Sequence, residues 1–285
     1  MSELKHYPVM LKECIEGLNL KTDGIYFDGT LGGAGHSYEI LKNSSPDGRL
    51  IATDLDGQAI ERAKIRLSEF DGRYTLVNDN YKNFKNIING LGVDNVDGIL
   101  LDFGVSSFQL DDSSRGFSYI ARESKLDMRM DQSQSFSAKD VVNEYSESEL
   151  ARIIFEYGED KFARRIAENI IKYRNKKKIE TCGELDDIIE ASIPKKFQTD
   201  GHPSKRTFQA IRIEVNGELE GLKNAVFEMT RSLKKGGRIV ILTFHSLEDR
   251  IVKQAFNEMA SDCICDKSLP VCVCGHKREI NVLTK

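Results

Sequence analysis

The stretch FDGTLGGAGHS, residues 27–37, joins a short apolar run to a glycine-rich loop. Such a junction predicts a buried strand that turns directly into a helix, with glycines that let the backbone approach a ligand closely. The dinucleotide fingerprint requires G-x-G-x-x-G, and the sequence GAGHSY that starts at Gly33 lacks the third glycine. A nicotinamide cofactor is therefore disfavoured.

Apolar runs and helix-like segments alternate on both sides of this loop. The alternation is typical of a parallel sheet that is covered by helices on both faces. From Asp111 to Thr207 the pattern is helical, which predicts an inserted segment. The predicted strands are IYF at 25–27, RLIAT at 49–53, RYTLVN at 73–78, GILLDF at 98–103 and GGRIVILTF at 236–244, and AIERAKIRL at 59–67 is a predicted crossover helix.

These patterns predict an α/β fold, a doubly wound Rossmann-like sheet with an inserted all-helical domain. The sheet domain is discontinuous and takes residues 1–110 and 208–285, and the insertion takes residues 111–207. Within the insertion, Ser146 and Glu149 have capping-box spacing ahead of an apolar stripe. A second helix is predicted at 162–171, where apolar residues recur at helical spacing.

The composition is that of an ordinary globular protein. The 285 residues carry 41 Lys and Arg against 45 Asp and Glu, so the formal net charge is -4 and no bulk positive field favours nucleic acid. No apolar run approaches the ~20 residues that a bilayer span needs, and the first residues lack a signal-peptide core. Six cysteines in a chain of this length do not make a disulfide-dense secreted scaffold. A soluble cytoplasmic protein with no membrane partner is expected.

Positive charge is concentrated in one part of the insertion. Residues 161–178 hold eight lysines and arginines and a single acid, Glu168. Two interpretations remain open, a solvated helix face or a local site for a polyanion. Insertions on such scaffolds often carry substrate specificity, which favours the second interpretation without deciding it.

Acidic residues follow the predicted strands at the end where open α/β sheets bind ligands. Asp54 ends the second strand and is placed to accept both hydroxyl groups of a ribose. A ribose site without a pyrophosphate fingerprint suggests S-adenosylmethionine. Tyr81 either covers an adenine ring or is an ordinary core tyrosine. His36 has the simpler role of hydrogen-bonding the loop, and a metal role is disfavoured because no second His or carboxylate lies at ligand spacing. For the whole region, the alternative is a glycine turn followed by a helix-capping aspartate.

Asp102 ends the fourth predicted strand, where a carboxylate can face a substrate. In an exocyclic amine of a base, the nitrogen lone pair is delocalised into the ring. An acceptor for the N–H would help to turn that lone pair toward a methyl donor, and Asp102 suits this role. Phe103 or Phe108 would stack on a base taken out of its helix, although strand-end aromatic residues more often belong to the core.

Seven blocks spread over nearly the whole chain occur in a fixed order. They are HYPVML (6–11), DGTLGGAGHS (28–37), LDFGVSSFQLDDSSRGFS (101–118), LDMRMD (126–131), YGEDKFARRIA (157–167), RTFQAIRIEVNGEL (206–219) and FHSLEDRIVK (244–253). With these blocks the chain closely resembles the MraW/RsmH family of S-adenosylmethionine-dependent methyltransferases, which act on cytosine N4 in small-subunit ribosomal RNA. The glycine loop alone is a weak motif, whereas seven ordered blocks are a strong one.

The resemblance implies a methyltransferase sheet interrupted by a helical domain, with S-adenosylmethionine as cofactor. It implies that the substrate is a cytosine in the decoding region of 16S rRNA, and that the partner is this RNA in the small ribosomal subunit. A homodimer is left open. Asp102 is the catalytic candidate. Cofactor contacts are carried onto Ala34, Gly35, His36, Asp54, Tyr81, Asp102 and Gln109, and the substrate-binding candidates are Arg115, Arg129, Lys205, Arg206 and His245.

Structural alternatives exist for the substrate-binding candidates. Arg129 can pair with Asp127 or Asp131 in LDMRMD, and Ser246 suits the N-cap of the helix that follows it. Such pairings would hold the protein's own loops rather than RNA.

The tail CICDKSLPVCVCG, residues 263–275, contains two C-x-C pairs separated by six residues. This spacing resembles a four-thiolate zinc knuckle but lacks the usual two-residue gap. Free thiols or a redox pair remain open, and no metal ligand is assigned from the sequence. The family resemblance also implies an arginine-containing strand after INVLTK, residues 280–285, so the sequence is either truncated there or completes its sheet edge differently.

Two other functions compete with an RNA methyltransferase. A non-catalytic ribosome-assembly factor could keep the fold and the cofactor pocket, but the intact glycine loop, Asp54 and Asp102 disfavour it. An amino-methyltransferase acting on DNA is also disfavoured, because its usual acid-Pro-Pro-aromatic block is replaced here by DFGV at 102–105. Fold alone does not separate these functions.

Overall fold

The computed structural model describes residues 7–198, 201–266 and 269–284. These residues form two compact units. The first takes the chain up to Gly104 and from Leu219 onward, and the second takes Val105–Glu218. The second unit extends beyond residues 111–207 at both ends, because the short helix that begins at Ser107 and the long helix that ends at Asn216 both pack within it.

The regular elements follow the predicted alternation. In chain order they are α1 (Leu11–Leu18), β1 (Ile25–Asp28), α2 (Gly35–Asn43), β2 (Arg49–Asp54), α3 (Gly57–Arg66), β3 (Tyr74–Asn78), α4 (Phe84–Gly90), β4 (Val96–Asp102), α5 (Ser107–Asp111), α6 (Ala138–Glu144), α7 (Glu147–Glu156), α8 (Ala163–Arg174), α9 (Cys182–Ser192), α10 (Lys205–Asn216), α11 (Leu222–Arg231), β5 (Leu233–Leu242) and α12 (Ser246–Met259). Short 3-10 helices lie at Ser68–Phe70, Tyr81–Asn83, Ser113–Arg115 and Lys195–Phe197. Within the described ranges, no helix combines the length and the apolar character needed to cross a bilayer.

The five strands of the first unit form one parallel sheet in the order β3-β2-β1-β4-β5. The register places Phe27 beside both Ile51 and Ile99, so the carboxyl ends of β1, β2 and β4 lie along one edge. The strand order reverses between β1 and β4, and open α/β sheets bind ligands at such a reversal. The predicted α/β fold and each of its five predicted strands are confirmed.

Alternating side chains of the strands enter two separate cores, one on each face of the sheet. Tyr26, Leu50 and Leu100 pack with apolar residues of α1, α2 and α3. Phe27 and Leu101 point the other way and pack with apolar residues of α4, α11 and α12. Both faces are therefore covered by helices, as the doubly wound prediction requires, and this explains why the strands read as continuous apolar runs.

A buried carboxylate ties three strands together at the amino ends of the sheet. Asp97, in β4, accepts hydrogen bonds from the backbone N–H of Ile25 at 3.0 Å and from the ammonium groups of Lys21 at 2.8 Å and Lys234 at 2.7 Å. Burial alone would raise the pKa of Asp97, but these hydrogen bonds outweigh it and lower the pKa to about 2. The charged form of Asp97 therefore stabilises the folded sheet.

The second unit is built from helices around its own apolar core. The predicted capping box is confirmed, because the Ser146 hydroxyl accepts from the Glu149 N–H while the Glu149 carboxylate accepts from the Ser146 N–H. This cap starts α7, whose buried side chains are Leu150, Ile153 and Ile154. The second predicted helix is α8, and it buries Ala163, Ile166, Ala167 and Ile170.

Candidate functional site

The glycine loop runs from the end of β1 to the start of α2. Two of its glycines are required by close packing, because a Cβ at Gly29 would lie 2.3 Å from Leu101 Cδ2 and one at Gly35 would lie 2.3 Å from Pro8 Cγ. Ala34, the residue before α2, has a left-handed φ of 56°. Gly29 and Gly35 thus allow Leu101 and Pro8 to pack closely against the loop, in addition to any ligand that approaches it.

The segment at Tyr7–Met10 packs on this loop. Besides the approach of Pro8 to Gly35, the carbonyl oxygen of Val9 lies 3.1 Å from His36 Nε2. Since a carbonyl oxygen can only accept, His36 Nε2 carries the proton of this hydrogen bond. Local patterns gave no indication of this contact, and the segment stood out only as part of the block HYPVML, whose first residue, His6, lies outside the described residues.

Asp54 holds the glycine loop in place from the end of β2. Its Oδ2 accepts from the Gly32 N–H at 2.7 Å and its Oδ1 accepts from the Asp56 N–H at 2.8 Å. Burial raises the pKa of Asp54 to about 6. Because each carboxylate oxygen can accept more than one hydrogen bond, both oxygens keep the capacity to accept a hydroxyl group.

Asp28 lies beside these residues at the end of β1, a position that was visible in the sequence, but sequence reasoning did not select it. The carboxyl group is fully buried and accepts from the Ser37 hydroxyl at 2.6 Å and the Thr30 N–H at 3.1 Å. The Thr30 hydroxyl in turn accepts from the Asp102 N–H at 2.6 Å. Asp28 therefore links the loop after β1 to the end of β4.

Asp102 presents an acceptor that no described residue uses. Its Oδ2 lies 3.6 Å from His36 Nδ1, whereas its Oδ1 is buried and has no hydrogen-bond partner among the described residues. Burial raises the pKa of Asp102 to about 6, although the charge of His36 acts in the opposite direction. An unpaired buried acceptor is costly unless a ligand supplies a donor, so this oxygen marks a place for an N–H or O–H group.

The aromatic candidates are divided by the structure. Phe103 is 6% exposed and belongs to the core that contains Phe27 and Leu101, so the core interpretation holds for it. The Tyr81 ring is half-buried and lies 5.6 Å from the Phe103 ring, between centroids. Phe108 is 37% exposed and does not belong to that core.

His245 is turned toward the helix that follows it. It is the N-cap of α12, and its Nδ1 accepts from the Glu248 N–H at 3.5 Å. The prediction that Ser246 is the N-cap is therefore wrong, because Ser246 already belongs to the helix. His245 Nε2 lies 3.1 Å from Glu248 Oε1, so both ring nitrogens face the first turn of α12.

In the second unit, two predicted arginines hold the chain's own loops. The Arg115 guanidinium donates to the carbonyl oxygens of Arg129 and Met130 at 2.9 and 3.1 Å. Arg129 forms a two-point pair with Asp127 at 3.0 and 2.7 Å, so the structural alternative holds for this residue. Both side chains position the LDMRMD segment, and their binding of substrate stays a prediction.

Three other candidates lie in the same unit. Gln109 is buried, and its side-chain oxygen accepts from the Ser106 N–H at 3.0 Å in a capping box at α5. Lys205 and Arg206 are exposed at the start of α10, and the Arg206 guanidinium donates to the Glu159 carbonyl oxygen at 3.0 Å. Of the predicted substrate-side cations, these two are the ones exposed to solvent.

The basic run at 161–178 is partly neutralised within the protein. Lys172 pairs with Glu168, and the Arg174 guanidinium donates to the Val142 carbonyl oxygen at 2.9 Å. Arg164 and Arg165 are exposed on α8. Both interpretations of the run therefore remain open.

The structure brings six of the seven predicted cofactor residues into the first unit, at or beside the carboxyl ends of its strands. Direct contacts join His36 to Asp102 and Asp54 to the loop that contains Ala34 and Gly35. Their roles in binding a cofactor stay predictions. The arrangement offers acceptors for hydroxyl groups at Asp54 and an unused acceptor at Asp102.

Comparison with known proteins places the chain among relatives along its whole length. It matches the model of the MraW methylase family over residues 3–285. It is 56% identical over 284 residues to "Ribosomal RNA small subunit methyltransferase H 2" of Agathobacter rectalis, covering 99% of this chain and 90% of that protein. It is 56% identical to "Ribosomal RNA small subunit methyltransferase H" of Lachnospira eligens with the same coverage, and 53% identical to that of Clostridioides difficile, of which it covers 91%.

Proposed function

The chain belongs to the MraW methylase family, and from that premise we propose that it methylates the N4 amine of a cytidine in the decoding region of 16S rRNA. It is an enzyme of the small-subunit ribosomal RNA methyltransferase class, and S-adenosylmethionine is its methyl donor. The observation that carries the proposal is the buried, unpartnered Oδ1 of Asp102 at the end of β4. A cytosine amine supplies the N–H that this oxygen lacks.

The residues of the first unit fit this donor. Asp54 has acceptor capacity left for ribose hydroxyl groups, and its bond to the Gly32 N–H fixes the loop beside it. Ala34, Gly35, His36, Asp54, Tyr81 and Asp102 would hold the donor, which when bound supplies a methyl group on a positively charged sulfur. These residues are the ones that the family resemblance implies, and they lie in the glycine loop or at or beside the carboxyl ends of the strands.

Asp102 is the catalytic residue of the proposal. Its Oδ1 accepts one N–H of the cytosine amine, which holds the amine plane and turns the nitrogen lone pair out of conjugation. After transfer the nitrogen carries a positive charge and is strongly acidic, so its proton passes to Asp102 or to water without a separate base. Most of the rate enhancement is then expected from positioning.

The RNA side of the proposal rests on local positive charge, since the net charge of the chain is -4. Lys205 and Arg206 are exposed and suit phosphate contacts. Arg115, Arg129 and His245 would act by holding the segments that meet the RNA. Action on a small ribosomal subunit in the cytoplasm, and formation of a homodimer, also belong to the proposal.

The test uses small subunits from cells that lack the enzyme. We expect the purified full chain to add one methyl group per particle, and mass spectrometry of the digested RNA to identify N4-methylcytidine. Because Asp102 is also one of several donor contacts, Asp102→Ala should weaken donor binding and should abolish transfer even at donor concentrations that calorimetry shows to saturate the variant. Near-normal turnover by this variant would refute the role of Asp102, and donor binding without methylation of any small subunit would favour an assembly factor.

A further inference from the structure

Four cysteines gather after α12, in the part of the first unit that the proposed function does not use. They are Cys263, Cys265, Cys272 and Cys274, and all four are free thiols. Cys265 is partly exposed and the other three are exposed. Their ligand atoms all lie within 4.8 Å of one another. Residues far apart along the tail are thus brought to one point.

The distances between the sulfur atoms match those of a tetrahedral metal site. Cys272 lies 3.5 Å from Cys263, 4.0 Å from Cys265 and 3.6 Å from Cys274, and Cys274 lies 3.8 Å from Cys263. Zn²⁺ with bonds of ~2.3 Å to four thiolates sets sulfur–sulfur edges of about 3.8 Å. A disulfide requires only about 2.05 Å, so the four sulfurs are arranged around a common centre rather than in bonded pairs.

Backbone amides point at these sulfurs as they do around bound metals. The Cys265 N–H donates to Cys263 Sγ at 3.4 Å, the Val273 N–H to Cys265 Sγ at 3.3 Å, and the His276 N–H to Cys274 Sγ at 3.4 Å. Such donors stabilise negative charge on thiolates and orient the ligands. Structural zinc sites usually have two residues between paired cysteines, whereas each pair here has one. The backbone around these pairs still provides N–H donors to three of the four sulfurs.

As far as the structure describes it, the segment that contains the four cysteines has no apolar core of its own to hold its fold. Among the described residues from Ser261 to Thr284 none is buried, and Val271 and Val273 are 69% and 76% exposed. The segment is fastened to the end of α12 by a few polar contacts, among them the Glu279 N–H to the Met259 carbonyl oxygen at 2.8 Å. Small segments without a core are commonly held by a metal or by disulfides.

We propose that Cys263, Cys265, Cys272 and Cys274 bind one structural Zn²⁺ through four thiolates. Binding releases the four thiol protons and leaves a centre of net charge 2−, with no open position for a substrate. The metal would fix the tail against α12. This inference is independent of the proposed methyl transfer, since it concerns residues outside that site.

The full chain is produced in zinc-supplemented medium, purified under reducing conditions without chelator, and assayed for metal by mass spectrometry. We expect one zinc per chain, and replacement by Co²⁺ should give the intense visible absorption of a tetrahedral thiolate site. Addition of zinc to the metal-free protein should release protons. A chain that retains no stoichiometric zinc, and binds neither added ion, would overturn the proposal.

A matched pair of variants locates the site. Cys272→Ser should lower zinc affinity about tenfold or more in competition with a chromogenic chelator. Cys182→Ser should not, because Cys182 lies in α9 and its thiol donates to the carbonyl oxygens of Gly116 at 3.5 Å and Lys125 at 3.8 Å. Circular dichroism checks that both variants are folded. Equal affinity in the two variants would contradict the assignment.

Discussion

His36 Nδ1 lies 3.6 Å from Asp102 Oδ2, while His36 Nε2 donates to the Val9 carbonyl oxygen at 3.1 Å. Because Nε2 carries a proton, a neutral His36 ring turns its lone pair toward the Asp102 carboxyl group. With a neutral ring and an ionised carboxylate, no hydrogen lies between His36 Nδ1 and Asp102 Oδ2. A hydrogen bond between the two atoms forms only when one further proton binds to the pair. This relationship couples Asp102, the proposed acceptor, to a ring that is fixed by the segment before α1.

Methyl transfer should weaken in acid. The pKa of Asp102 is raised to about 6, and the protonated acid is a weaker acceptor for the amine N–H and cannot itself take up the proton that leaves after transfer. At saturating donor, we expect the single-turnover rate to fall about tenfold for each pH unit below about 6. Rapid-quench measurements with small subunits check this. A flat profile down to about pH 5 would contradict the role of Asp102.

The same profile tests His36 as a positioning residue. His36→Gln keeps a donor for the Val9 carbonyl oxygen but removes the ring nitrogen that faces Asp102. Since the charge of His36 lowers the pKa of Asp102, the inflection of the rate profile should move to higher pH in this variant. A loss of rate with no movement of the inflection would indicate a merely structural role for His36.

Asp54 should affect the affinity for the donor rather than the rate at saturation. Asp54→Asn removes the charge and one of the two acceptors that hold the Gly32 and Asp56 N–H groups. Loss of a charged hydrogen bond costs about 1.5–3 kcal/mol, which is a rise in Kd of roughly tenfold to 150-fold. Calorimetry with S-adenosylmethionine measures it, and the exposed Asp47→Asn provides the control. Equal affinities in the two variants would exclude Asp54 from the donor site.

Gly29 should not tolerate a side chain. A Cβ there would lie 2.3 Å from Leu101 Cδ2 and 2.8 Å from Tyr81 Cβ, so Gly29→Ala should cost about 1–3 kcal/mol of unfolding free energy. Gly90 in α4 has nothing within 4 Å of the same position, and Gly90→Ala should stabilise by about 0.5–1 kcal/mol. Denaturant unfolding compares the two variants, and effects of the same sign would contradict this account of the loop.

Asp97 should stabilise the sheet in a pH-dependent way. Asp97→Asn weakens the contacts to Lys21 and Lys234, and because both lysines are partly solvated we expect a loss of about 1–3 kcal/mol at neutral pH. The folded pKa is about 2 and the unfolded value about 3.9, so the contribution is complete above about pH 4 and is lost as the pH falls toward 2. Urea unfolding at several pH values measures this, with the exposed Asp94→Asn as control. A difference that is independent of pH would contradict it.

The sequence predicted what depends on local pattern. The five strands were recognisable because both faces of the sheet are buried, and the Ser146 cap because its partner is three residues away. Contacts between distant segments produce no local sequence pattern, so the packing of Pro8 on Gly35 was not predicted. The cap of α12 was misplaced by one residue because serine is a preferred N-cap and histidine is not, whereas here the His245 ring accepts from the Glu248 N–H.

Every described strand of the sheet, and every described helix that covers it, lies outside Val105–Glu218. That segment leaves the first unit after Gly104 and returns at Leu219, within a single crossover between β4 and β5. A change in the length or sequence of this segment therefore leaves the order of the strands in the sheet unaltered.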